Sequence, residues 1–147
     1  MAHEYSGKYA TKHPPDTTLN KQIAEEIREK SSGSGLSCVT GEEISKELEV
    51  DMSAVGITAD LMEIKIKKCQ LGLFGYDKKP NHGKDIQAAD TVPDEIKKAL
   101  EETAENGAVT CAALWTIAHR LGVKRKAVSA ACETLNLKIR VCQLGAF

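Results

Sequence analysis

Apolar residues recur at helical spacing in two stretches that lie far apart in the chain. Leu19, Ile23 and Ile27 follow one another at intervals of four, and Ile96 and Leu100 show the same interval. Side chains four positions apart share one face of an α-helix. Each stretch therefore predicts an amphipathic helix with an apolar stripe.

Residues that favour helix ends flank both stretches. We expect Asp16 or Thr17 to cap the first helix, and the Ser/Gly run at residues 31–35 to end it. In the second stretch Pro93 suits the first helical turn, and the Asn-Gly pair at residues 106–107 supplies a stop. The same kind of helix therefore opens two separate segments of the chain.

The two segments are copies of one unit. Cys38 recurs as Cys111 and Phe74 recurs as Phe147, a separation of 73 residues that holds between these points without a gap. Two copies are too few for a solenoid, so we predict two small domains of one fold or one pseudo-symmetric pair. The first-copy residues that recur at this separation are Cys38, Ile44, Leu48, Val50, Ala54, Val55, Lys65, Ile66, Cys69, Gln70, Leu71, Gly72 and Phe74.

Loop composition separates the two copies. The stretch from Gly75 to Asp90 contains Pro80 and Gly83 and lacks a periodic apolar pattern, so it reads as a connection. The predicted organisation is an N-terminal arm at residues 1–16, a first repeat at 17–76, a linker at 77–91 and a second repeat at 92–147.

The second copy has the pattern of two short helices joined by a tight turn. Ala118 is small enough for close helix contact, Gly122 accepts the positive φ of the turn, and Val128 lies in the following helix. Alternating stretches before and after the helix pair predict short strands. This order resembles a winged-helix domain with a helix-turn-helix. The resemblance implies a mainly α fold with short β-strands, present as two tandem winged-helix-like repeats.

The resemblance also implies a DNA-binding site on the second copy, because the second helix of the pair lies in the major groove in that family. Lys124 stands where a Ser or Asp cap is favoured, and the helix dipole disfavours a cation there, so the basic run suggests a phosphate site. A merely solvated basic turn is the alternative. Ser129 is the candidate for base reading. The predicted nucleic-acid-binding residues are Lys124, Arg125, Lys126, Ser129, His119, Arg120 and Arg140.

The first copy departs from this pattern at the equivalent positions. Glu49 replaces the turn glycine, and Asp51 and Asp60 lie among the reading positions. Phosphate groups would repel such an acidic face, so we expect this copy not to read DNA. Met52 and Ile57 suggest a protein partner or self-association through the first repeat, although single exposed apolar residues are ordinary.

Charge is divided unevenly between the copies. Residues 19–76 carry seven basic and ten acidic side chains, whereas residues 92–147 carry eight basic and six acidic ones. The second copy is therefore the better candidate for double-stranded DNA, while a net charge of −1 argues against a general polyanion-binding surface. No apolar run reaches the roughly 18 residues of a membrane span, so we expect a cytoplasmic protein without a membrane partner.

Four of the five cysteines belong to the repeat, as the possible thiol pairs Cys38 with Cys69 and Cys111 with Cys142. In a winged-helix arrangement the members of each pair would lie close together. Three interpretations of these cysteines remain open: packed thiols, a redox-responsive pair and a metal site. We favour packing, because free cysteine is usually buried and a close Cys-x-x-Cys spacing is missing. No metal and no cofactor are expected.

Sequence motifs of catalysis are missing from the chain. It contains no phosphate loop, no Gly-x-Ser-x-Gly and no His-Glu-x-x-His. We therefore expect no enzymatic activity. The leading hypothesis is a DNA-binding transcriptional regulator that uses the helix-turn-helix of the second repeat. The alternative is a protein-interaction adaptor built from two degenerate winged-helix modules without DNA binding.

Overall fold

The helices and short strands of the chain divide into two units. A computed structural model describes residues 8–33, 35–76 and 83–147. Of these described residues, the first unit contains those up to Cys69 together with Gln143–Phe147, and the second unit contains those between Gln70 and Cys142. The units therefore do not coincide with the predicted repeats, because the last residues of each repeat belong to the other unit.

The first unit contains three α-helices and two short strands among the described residues. Asn20 caps the first α-helix, since its side chain accepts a hydrogen bond from the backbone N–H of Ile23 at 3.1 Å. The expected caps at Asp16 and Thr17 are wrong, because the Thr17 N–H bonds to the Pro14 carbonyl in a preceding turn. The elements are a 3-10 helix at Tyr9–Lys12, α1 at Lys21–Lys30, β1 at Leu36–Ser37, α2 at Cys38–Leu48, α3 at Met52–Leu61 and β2 at Ile66–Lys67.

The second unit repeats this order of elements. Pro93 directly precedes its first helix, and Asp94 and Glu95 occupy the first turn, where acidic side chains complement the positive helix end. Each of its helices begins 73 residues after its counterpart in the first unit. The elements are α4 at Asp94–Thr103, β3 at Ala108–Thr110, α5 at Cys111–Leu121, α6 at Arg125–Leu135 and β4 at Lys138–Arg140.

The strand before each helix pair lies beside the strand after it, and the two run parallel. Leu36 pairs with Ile66 in the first unit, and Val109 pairs with Ile139 in the second. Two intervening helices provide the long crossover that parallel strands require. The described residues contain no hairpin of antiparallel strands that would form a wing. The structure thus agrees with a mainly helical chain with short strands.

Apolar stripes of the helices form the core of each unit. In the first unit Ile23 and Ile27 of α1 are fully buried, as is Val55 of α3, whereas Leu19 lies outside the helix and is exposed. In the second unit Leu100 of α4 and Val128 of α6 have no exposed surface. Burial of equivalent positions explains why the same apolar residues recur in both copies.

Candidate functional site

The outward face of α6, to which the sequence assigns DNA reading, is covered by another part of the second unit. We call residues 70–76 and 83–90 the covering segment; residues 77–82 between them lie outside the described residues. Arg125 Nη1 donates a hydrogen bond to Gln70 Oε1 at 2.7 Å. Lys126 Nζ lies 2.6 Å from Asp85 Oδ2 in an ion pair. Two of the three cations of the basic run therefore have partners within the unit.

The covering segment also contacts the later turns of α6. The Ala89 N–H donates to the Ala130 carbonyl at 3.3 Å, and the Thr134 hydroxyl donates to the Ala89 carbonyl at 2.7 Å. Lys84 forms an ion pair with Glu133 at 2.7 Å. These contacts extend along the helix from its first turn to its last, so the segment lies along part of the surface that a DNA groove would require.

Aromatic side chains hold the same two cations. The guanidinium carbon of Arg125 lies 3.6 Å from the ring centre of Trp115, and Lys126 Nζ lies 4.9 Å from that of Tyr76. The electron-rich face of an aromatic ring attracts a cation placed over it. The hydrogen bond to Asp85 raises the pKa of Lys126 above its ordinary value. Both side chains therefore make contacts within the unit, and 42% of the Lys126 side chain stays exposed.

Ser129 is fully buried in α6, and its hydroxyl has no hydrogen-bond partner among the described residues. A side chain without exposed surface cannot reach a base edge. The expected base reading by Ser129 therefore disagrees with this structure. The physical reason is that a small residue at this position lies in the packed part of the helix, which helical periodicity alone does not reveal.

The remaining predicted basic residues are exposed but do not form one group. His119 and Arg120 lie in the last turn of α5, and Lys124 directly precedes α6. Arg140 is followed by a residue whose carbonyl accepts the Cys111 N–H at the start of α5. Since α5 rises about 1.5 Å per residue, Arg140 lies roughly 13 Å along the helix from Arg120. The first three of these residues therefore lie around one turn, whereas Arg140 lies apart from them.

In the first unit, residues 143–147 occupy the equivalent place on α3, and we call them the inserted segment. Gly56 is the counterpart of Ser129, and a Cβ atom at this position would overlap the carbonyl oxygen of Leu144. The Leu144 side chain is 1% exposed, and its Cδ1 would lie 3.1 Å from a Cβ atom at Gly41. Two glycines, one on α2 and one on α3, therefore make room for one leucine.

Residues of the predicted N-terminal arm hold both α3 and the inserted segment. Lys12 Nζ donates to the Gly145 carbonyl at 2.7 Å and lies 3.0 Å from Asp60 Oδ2. His13 Nε2 lies 2.8 Å from the same carboxylate oxygen. The Glu63 carboxylate accepts two backbone N–H groups of the 3-10 helix at 2.8 Å each. Residues 9–13 are therefore a docked part of the first unit rather than an extended arm.

All five cysteines are free thiols, and four of them are buried, whereas Cys142 is half-buried. Cys38 and Cys111 are the first residues of their helices, directly after the caps Ser37 and Thr110. The Cys111 N–H donates to the Val141 carbonyl at 3.3 Å, which brings its backbone next to the residue before Cys142. Within the described ranges no group of three or more His, Cys, Asp or Glu side chains could hold a metal ion.

Sequence reasoning missed the covering segment, the inserted segment and the Lys12–Asp60 contact. The available signal was the identical Gln-Leu-Gly-x-Phe sequence at residues 70–74 and 143–147. That identity shows that both segments belong to the repeated pattern. It does not show which helices the segment contacts, because this depends on tertiary structure.

Comparison with protein-family models, with curated proteins and with solved structures finds no match for this chain. No helix in the described part of the chain is long and apolar enough to cross a membrane. We therefore infer function from the contacts of the two helix faces.

Proposed function

We propose that this chain is a non-enzymatic adaptor that binds polypeptide segments through the faces of α3 and α6. The observation that carries the proposal is that in each unit this helix is packed against a segment of chain that lies outside the helix pair. The inserted segment crosses α3 at Gly56, and the covering segment follows α6 from Arg125 to Thr134.

The contacts on these faces are those expected of polypeptide recognition. On α6, backbone groups of Ala89 bond to a carbonyl and a hydroxyl of the helix. On α3, the backbone of the inserted segment crosses Gly56, and the Leu144 side chain fills a space between α2 and α3. Main-chain hydrogen bonds and buried apolar side chains are the usual sources of affinity and specificity in peptide binding.

DNA binding is the second candidate function, and one observation favours it. Three exposed basic side chains flank the turn between α5 and α6, where they are accessible to a phosphate backbone. They are His119, Arg120 and Lys124. This group is small, and binding through the α6 face would require displacement of the covering segment. We therefore rank DNA binding below polypeptide binding.

Two binding measurements on the same protein test the proposal. A displayed library of random peptides should yield enriched binders whose affinity falls when residues on the α3 or α6 face are replaced. Short duplex DNA, titrated at several salt concentrations, should show no binding that depends on His119, Arg120 and Lys124. The control is the double variant Lys97→Ala/Lys98→Ala, which removes two exposed cations from α4.

The outcomes separate the two functions. Salt-dependent duplex binding that is weakened by His119→Ala/Arg120→Ala/Lys124→Ala, but not by the α4 control, would establish the DNA-binding alternative. A library without any enriched peptide would overturn the adaptor proposal.

A further inference from the structure

We propose that the first unit is a receptor for a segment of the type Leu-Gly-small, and that a second copy of this chain can supply that segment. The proposal rests on the adaptor function and names the polypeptide that one of the two faces binds. Its basis is the inserted segment at residues 143–147, which shows how such a sequence is held.

The leucine is selected by two glycines. Leu144 is almost fully buried, with Gly41 beside its side chain and Gly56 beneath its backbone. A Cβ atom at Gly56 would overlap the Leu144 carbonyl, so the backbone can lie this close only when α3 has no side chain there. Burial of a leucine side chain supplies much of the affinity of such a site.

The two following residues are selected by backbone conformation and by size. Gly145 has a φ of 73°, which favours glycine, and its carbonyl accepts a hydrogen bond from Lys12. Ala146 is buried, and Tyr9 and Ile64 line the space beside it. A larger side chain at a buried position must displace its neighbours, so this position favours a small residue.

The chain contains a natural comparison for this selectivity. Residues 70–74 read Gln-Leu-Gly-Leu-Phe, whereas residues 143–147 read Gln-Leu-Gly-Ala-Phe. The two segments differ only in Leu73 against Ala146, and only the alanine version belongs to the first unit. Burial of Ala146 favours the alanine version at this position of the first unit.

A second copy is the occupant with the required chemistry. The contacts to the inserted segment come from Lys12, Gly41 and Gly56, which precede it by more than 80 residues in the sequence. None of these contacts requires the segment to belong to the same chain. Another copy of the protein presents the identical five residues, so exchange of this segment joins two chains.

A chain that lacks residues 143–147 tests the receptor with a labelled peptide of that sequence, followed by fluorescence anisotropy. The shortened chain should bind the peptide at a 1:1 ratio, and the intact chain should bind it at least about tenfold more weakly, because its own segment competes. Replacement of the peptide leucine by alanine should weaken binding about tenfold or more. The peptide of residues 70–74 should also bind more weakly.

Mixing two variants tests the exchange between copies. Gly56→Ala blocks the receptor but leaves residues 143–147 available, so this variant should form a 1:1 complex with the shortened chain in light scattering. Gly33→Ala is the matched control, because a Cβ atom at Gly33 has no atom within 4 Å and the segment stays in place. Equal complex formation by both variants, or by neither, would overturn the proposal.

Three further outcomes test the receptor and the adaptor function. If the shortened chain loses helical circular dichroism, the peptide should restore it, and failure to do so would contradict the receptor. Enriched library peptides together with no binding of residues 143–147 would reject this inference and leave the adaptor function intact. If the library yields no enriched peptide and residues 143–147 do not bind, both the adaptor function and the receptor are rejected.

Discussion

Glu49 and Gly122 occupy equivalent positions at the ends of α2 and α5, and both adopt the left-handed backbone conformation. Their φ values are 53° and 67°. Glycine accepts this conformation without steric cost, whereas other L-residues lose roughly 1–2 kcal/mol. The first unit therefore contains a strained helix end that the second unit avoids.

Replacement of Glu49 by glycine should raise the free energy of unfolding of the first unit by about 1 kcal/mol, because the strain at the helix end is relieved. Chemical denaturation followed by circular dichroism measures the change. The reverse substitution, Gly122→Glu, is the matched control and should lower stability by a similar amount. An unchanged midpoint for both variants would show that the conformation costs little at this turn.

Cysteine reactivity is a second property decided by single residues. Burial raises the pKa of the Cys132 thiol to about 11, so very little of it is thiolate near neutral pH. Cys142 is only half-buried. Alkylation of the folded protein at pH 8 should modify Cys142 first and Cys132 last, as followed by peptide mass spectrometry. Rapid labelling of Cys38 or Cys111 would instead support a reactive thiol at a helix start.

At the scale of elements, the contact between the covering segment and α6 includes two ion pairs, and the pair between Asp85 and Lys126 is the one whose titration can be followed. The Asp85 carboxylate raises the pKa of Lys126 above its ordinary value of 10.5. A group whose pKa is raised on folding stabilises the folded state below its unfolded pKa, and this contribution is lost as the pH rises through the folded pKa. The ion pair therefore stabilises the contact at neutral pH and fails in strong alkali.

Asp85→Ala should lower the pKa of Lys126 toward its ordinary value, which NMR of the lysine side chain can measure. It should also reduce stability near pH 8, and the difference from the wild type should shrink as the pH rises above about 10.5. Asp90→Ala is the control, because Asp90 is an exposed carboxylate in the same stretch. A constant difference at all pH values would show that the ion pair does not stabilise the contact.

Local signals predicted the elements better than their contacts. The apolar stripes of Ile23 with Ile27 and of Ile96 with Leu100 correctly place α1 and α4, since helical periodicity is a property of neighbouring residues. The winged-helix resemblance implied that β1 and β2 pair, but the parallel direction of the pair and the burial of Ser129 were not predicted. Both depend on segments that are distant in the sequence, and periodicity shows which residues share a face without showing what covers that face.

At the scale of the whole molecule, neither unit consists of one continuous repeat. The first unit is completed by residues 143–147, and the second unit begins at Gln70. Leu144 and Leu71 are both about 1% exposed, so each is a core residue of its unit. The 73-residue repeat in the sequence is thus not the same as the unit that folds.

This division predicts where the loss of each leucine is felt. Leu144→Ala should destabilise the first unit, and Leu71→Ala the second, each by about 2–5 kcal/mol. Amide hydrogen exchange should therefore quicken in α2 and α3 for the first variant and in α5 and α6 for the second. The opposite assignment, with Leu71→Ala affecting α2 and α3, would show that each repeat folds with its own segment.

The placement of residues 143–147 in the first unit has a consequence for biosynthesis. A ribosome makes the chain from its N-terminus, so α1, α2 and α3 emerge first, while the leucine that fills the space beside Gly41 and Gly56 emerges after the entire second unit. The part of the protein that is translated first is therefore completed last. Translation that stops shortly before Leu144 would yield a chain with a whole second unit and an unfinished first one.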